Sequence, residues 1–145
     1  MYDVVGAAME VYNTLGRGLS EQIYQEAFLM EARLRELAIE REKKLTLTYK
    51  GMVMEKSYFV DFYYRGIILE FKAVSEITSD HRAQLFNYLR ITHQSRGILF
   101  NFGEPNLHTE RYLYLPEIDD FILLTHDNYL DYVTDPNPNT SPSVV

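Results

Sequence analysis

Hydrophobic and polar positions change period along the chain, from helical to alternating and back. Val4, Val5, Ala8, Met9, Tyr12 and Leu15 recur at helical spacing and predict a helix over residues 2–15. Gly16-Arg17-Gly18 breaks it. Ser20 suits the N-cap of a second helix running to about Leu37, with Ile23, Ala27, Met30, Leu34 and Leu37 as its apolar stripe. Arg41-Glu42-Lys43-Lys44 reads as a charged, solvated connection. From Leu45 the period becomes two: Leu45, Leu47 and Tyr49 alternate with Thr46 and Thr48, as on a strand. Lys50-Gly51 turns the chain into a strand from Met52 to Tyr64, and Arg65-Gly66 turns it again into Ile67–Ala73. That last run is apolar except for Glu70 and Lys72, which predicts a central strand covered on both faces.

Thr78 or Ser79 can cap a third helix reaching Thr92. Gly97–Phe102 reads as a further buried strand, ended by Gly103-Glu104-Pro105-Asn106, and Phe121–Thr125 as a short one. The order is helices, an antiparallel meander, a crossover helix and more strand. It predicts an α/β fold with a mixed central sheet flanked by helices. One domain over residues 1–134 is expected, and the proline-rich stretch 135–145 is expected to be disordered.

Composition narrows the chemistry. The absence of cysteine excludes disulfides, cysteine-type zinc sites and cysteine-ligated iron–sulfur clusters, and is compatible with a cytoplasmic setting. Residues 1–6 lack the basic and apolar regions of a signal peptide, and no apolar run approaches the roughly 20 residues of a membrane span. A net charge of −7 argues against binding nucleic acid by bulk electrostatics, since phosphate contacts draw on Lys and Arg.

The candidate chemistry lies on the central hairpin. Glu70 and Lys72 are two apart on a strand and share a face. A turn at Arg65-Gly66 pairs positions summing to 131, so Asp61 faces Glu70 with Cβ atoms about 4.5–5.5 Å apart. Carboxylates that close repel unless a cation separates them, and Mg²⁺ or Mn²⁺ with oxygen ligands would do so. Lys72 could hold an attacking water or stabilise charge on a phosphate. The same residues could equally form a structural ion pair, with Lys72 neutralising Glu70 or Asp61. An otherwise apolar strand speaks against it, because charges there are usually paired or metal-bound.

Several ordered segments resemble the GxxExxY group of the PD-(D/E)XK nuclease superfamily. These are Gly18-Leu19-Ser20-Glu21-Gln22-Ile23-Tyr24, Tyr58-Phe59-Val60-Asp61, Ile68-Leu69-Glu70-Phe71-Lys72-Ala73-Val74, His81-Arg82-Ala83-Gln84-Leu85 with Tyr88-Leu89, and Gly97–Phe102. Val60 stands where the motif's proline would be. The resemblance implies a restriction-endonuclease-like core and Mg²⁺-dependent (or Mn²⁺-dependent) phosphodiester hydrolysis of nucleic acid, DNA foremost, with pairing into a homodimer a further expectation. Asp61, Glu70 and the Phe71 carbonyl would hold the metal. Lys72 would be the catalytic lysine, with Glu21 and Gln84 completing the site. Tyr24, His81 and Tyr88 are candidate substrate or supporting contacts. Each has a plainer reading: Glu21 favours the dipole of its helix, Gln84 is a surface amide, and the tyrosines pack the sheet. The acidic charge leaves a second reading, a catalytically silent module of the same fold acting in protein interaction or regulation.

Overall fold

The computed structural model describes residues 1–128 and Asp131. The expected disordered tail, 135–145, lies outside them. The elements are α1 (Tyr2–Leu15), α2 (Glu21–Leu34), β1 (Glu40–Tyr49), β2 (Met52–Tyr64), β3 (Ile67–Lys72), α3 (Ser79–Thr92), β4 (Arg96–Asn101), β5 (His108–Leu115) and β6 (Asp120–Leu123). Lys50 and Gly51 both take positive φ, as do Arg65 and Gly66, so each pair reverses the chain within two residues. The six strands form one sheet in sequential order. Only β3 and β4 run parallel, because α3 carries the chain back between them. The expected mixed sheet flanked by helices is therefore the observed architecture.

Both faces of the sheet are covered. One core joins α1 and α2 to Phe62, Tyr64, Leu69, Phe71, Ile98, Phe100 and Leu113. The other joins Leu85 and Leu89 of α3 to Leu45, Val60, Ile68, Leu99, Tyr112 and Tyr114. Phe28 of α2 makes edge contacts with Phe62 and Phe71, at 4.9 and 5.0 Å between ring centroids. Where α3 crosses β4, a side chain on Gly97 would force the leucines of α3 to shift. A Cβ on Gly97 would meet Leu85 at 2.9 Å and Leu89 at 3.3 Å. Among the described residues, no helix is long and apolar enough to cross a membrane.

Two expectations are corrected and one strand is added. Residues 41–44 are not a loop: β1 begins at Glu40, and its charged half is the outermost strand, where one edge meets water. Helix α2 stops at Leu34 and is turned away from the predicted stripe. It buries Tyr24, Gln25, Phe28 and Ala32, while Ile23, Met30 and Leu34 are exposed. Tyr24 stacks on Phe102 and Phe28 packs edge-on against Phe62 and Phe71, and these ring contacts go with the buried face. Strand β5 was not anticipated, because His108-Thr109-Glu110-Arg111 opens it with polar residues; only Tyr112-Leu113-Tyr114-Leu115 carries a strand signal.

The rotation of α2 predicts unequal stability effects. Phe28→Ala should lower the unfolding free energy by about 3–5 kcal/mol, and Leu34→Ala by no more than about 0.5 kcal/mol. Urea denaturation measures both, and comparable losses would mean that the buried face is misassigned.

Candidate active site

Asp61 lies where the regular pairing of β2 gives out on both sides. Toward β3, Tyr64 pairs with Ile67, Tyr63 with Ile68 and Phe62 with Leu69, and there the ladder stops. The next pair in this register is Asp61 and Glu70, as the turn arithmetic requires. Side chains replace the ladder: Phe71 N–H donates to Asp61 Oδ2 at 2.8 Å, and Asp61 N–H donates to Glu70 Oε1 at 3.4 Å. Toward β1, Arg41 pairs with Phe62 and Lys43 with Val60. Glu42, which stands between them opposite Asp61, has φ 51°. Residues two apart on a flat strand share a face. Here Val60 packs in the α3-side core and Phe62 in the α1/α2-side core, so β2 turns over at Asp61.

The two acids are therefore neighbours, with Glu70 buried and Asp61 half-buried. Burial, and next the charge of Asp61, push the Glu70 carboxyl well above the usual range. Burial raises Asp61 too, against the Phe71 N–H and a hydrogen bond from Glu70. Both carboxyls therefore ionise less readily than ordinary ones. Lys72 does not collapse onto it. Its Nζ donates to Gln84 Oε1 at 3.0 Å, and among the described residues it forms no ion pair. Gln84 Nε2 in turn donates to the Tyr88 hydroxyl at 2.9 Å, and the Tyr88 ring packs on Tyr58 with centroids 4.6 Å apart. Burial raises the Tyr88 hydroxyl, and the charges of Glu70 and Asp61 add to this, so it stands within their field.

Glu21 approaches from the other side, in the first turn of α2. Burial raises its carboxyl, Asp61 raises it further and Lys72 lowers it. Gln25, buried one turn later, donates to Glu21 Oε1 at 3.2 Å. Sequence reasoning missed Gln25, although its i+4 spacing from Glu21 was visible. Asn101 was missed as well. This fully buried amide donates to the Val74 carbonyl and accepts from Val74 N–H, fixing the chain just beyond Lys72. Two candidates are engaged elsewhere. The Tyr24 hydroxyl donates to Gly16 O at 2.6 Å and accepts from Leu19 N–H, closing the loop before α2, while its ring stacks on Phe102. His81 Nδ1 accepts from Thr78 N–H and completes the cap of α3.

A further polar cluster lies two strands away. Glu70 and Glu110 both neighbour Leu99, from opposite sides. Arg82 of α3 clasps Glu110 with two 2.8 Å hydrogen bonds, and Tyr112 and His108 also contact that carboxylate. These bonds, Arg82 first, hold Glu110 down at about 2. The cluster ties α3 to β5 and so fixes Gln84 over β3.

The donor set suits a hard cation. Asp61 and Glu70 supply carboxylate oxygens, and Phe71 a carbonyl on the same strand. Among the described residues, no group of three acidic or histidine side chains converges, so Glu21 does not complete a ligand triad directly. No curated protein matches the chain. Among solved structures it resembles one titled "Crystal structure of SSO0001", with 16% identity and a TM-score of 0.42 over 74% of this chain; it spans 65% of that protein's length. Residues 1–112 match the PD-(D/E)XK nuclease superfamily, and the chain belongs to it.

The raised values set a pH dependence. Glu70 and Asp61 titrate higher in the folded than in the unfolded chain, so their contribution to stability is full below the carboxylate range and is lost as pH rises through the raised values. Asp61→Asn keeps an acceptor for Phe71 N–H and removes one charge. With EDTA present, it should be more stable than wild type at pH 8 by an amount on the order of 1–3 kcal/mol, the gap closing toward pH 4. Glu110 acts with the opposite sign at acid pH but equally in both proteins. Urea midpoints that show no gap, or one independent of pH, would exclude the coupled pair.

Proposed function

We propose that this member of the PD-(D/E)XK nuclease superfamily is a metal-dependent phosphodiesterase acting on DNA, of the GxxExxY group marked by Gly18, Glu21 and Tyr24. The observation that supports it most is the apposition of half-buried Asp61 and buried Glu70 beside a lysine that bonds Gln84 rather than either carboxylate. Two acids forced together in a low-dielectric site destabilise the chain unless a proton or a cation compensates them, which is the condition of a metal-binding site.

Asp61, Glu70 and the Phe71 carbonyl would hold Mg²⁺ or Mn²⁺. Bound there, such an ion supplies a lowered pKa for water and polarises a phosphoryl oxygen. The chain's own groups do the rest. Lys72 Nζ has three donors, and one is spent on Gln84. The other two are free to hold an attacking water and to meet negative charge growing on the phosphate. Gln84, braced by Tyr88, fixes that ammonium. Glu21, braced by Gln25, orients water from the α2 side.

The net charge of −7 favours the competing reading, a silent module used in protein interaction. Calorimetry and cleavage separate the two. Wild type should bind Mn²⁺ and cut DNA. Lys72→Ala should lose at least about 100-fold in cleavage with its circular dichroism and Mn²⁺ heat unchanged. Asp61→Asn should lose the heat as well. A wild-type protein that binds no Mn²⁺ and cuts neither DNA nor RNA would leave the silent module as the better account.

A further inference from the structure

The hairpin of β1 and β2 runs past the cores that the rest of the sheet shares. Every residue from Thr48 to Lys56 is exposed. Residues 40–56 hold Arg41, Lys43, Lys44, Lys50 and Lys56 against Glu40, Glu42 and Glu55, a net +2; with the chain at −7, the remainder carries −9. Among the described residues, none of Lys44, Lys50 and Lys56 is in an ion pair. The turn end is also apolar: Tyr49, Met52 and Val53 are 61%, 65% and 69% exposed. Lysines on an outer strand can simply discourage edge pairing. Exposed methionine, valine and tyrosine do the reverse, so edge protection does not account for the composition.

We propose that this hairpin is an arm that lies along duplex DNA and seats the scissile strand at Asp61, Glu70 and Lys72. The inference rests on the phosphodiesterase reading for its second half only. Charge selects the partner, because an anion of repeating charge is drawn to the basic segment and repelled by the rest of the molecule. Shape agrees, since the major groove admits a two-stranded β-ribbon. Between Thr46↔Ser57 and Thr48↔Val53, three residues of β2 stand against Leu47, and this bulge bends the ribbon. Met52 and Asp61 are nine positions apart on one strand, which spans at most about 30 Å at roughly 3.3 Å each, or up to about nine base pairs. The lysines meet phosphates along that length, and the apolar end meets base edges such as thymine methyls.

The test uses the full chain, a 30-base-pair DNA duplex in EDTA, and fluorescence anisotropy across a salt series. The triple variant Lys44→Gln, Lys50→Gln, Lys56→Gln should bind more weakly and lower the slope of log affinity against log salt by about 3. Lys43 is spared, because its Nζ is paired with Glu40 at 3.3 Å. Met52→Ser with Val53→Ser should weaken binding with the slope unchanged. Manganese-dependent hydrolysis of bis(p-nitrophenyl) phosphate reads the site without the arm and should be equal in wild type and the lysine variant. If wild type hydrolyses no phosphodiester yet the lysine variant still loses the duplex, the arm stands and the catalytic reading falls. A wild type that does not bind duplex at 50 mM salt overturns the arm, as does a lysine variant with unaltered affinity and slope. Wild-type binding to phosphatidylserine vesicles but not to duplex overturns it in favour of a membrane.

Discussion

The Asp61 carboxylate accepts the Phe71 N–H at the point where β2 and β3 stop pairing. A buried N–H without an acceptor costs about 1–3 kcal/mol, so this bond holds the half-buried Asp61 carboxylate against β3. The backbone of Asp61 is satisfied by Glu70 in return. The two acids are thus held together by the needs of the main chain, against their own repulsion. The same point is where β2 turns over, sending Val60 to one core and Phe62 to the other. The positive φ of Glu42 marks the matching disturbance in β1. Strain of this kind persists only where the surroundings impose it, and it gathers at functional sites.

Around that point the rest of the structure acts as alignment. The Gly97 contact lets α3 lie close on β4, the Thr78–His81 cap fixes where α3 begins, and Arg82 on Glu110 fixes its lateral position. Gln84 then accepts a hydrogen bond from the Lys72 ammonium, which among the described residues forms no ion pair. From the opposite face, α2 brings Glu21 to the same pair, steadied by Gln25. Helices on two faces converge on one strand end, beyond which Asn101 fixes the chain. The arm of β1 and β2 extends from the same strand that carries Asp61, so a partner held by the arm is already in line with the site.

Much of this was legible along the chain. Helices α1 and α3, both two-residue turns and the apposition of Asp61 with Glu70 follow from period and turn residues, which act over a few positions. Whole classes of chemistry fell away with the missing cysteines. The placement of Lys72 on the side of Glu70 needed only the two-residue period of a strand. What was misread depended on neighbours distant in sequence. Residues 40–44 look like a loop because their charges face water, yet β2 supplies the pairing that makes them strand. The polar start of β5 is strand because β4 lies beside it and Arg82 neutralises Glu110.

The sequence by itself determined the order of elements, the site's strand and the register that brings its acids together, because these depend on local period and on turns of two residues. Only the tertiary structure decided which face of α2 is buried, that Lys72 bonds Gln84 rather than a carboxylate, that Tyr24 and His81 serve a loop and a cap, and that β2 turns over at Asp61. Those outcomes depend on which surfaces exclude water from one another and which backbone groups remain unpaired. Neither is settled until the two cores have closed on the sheet.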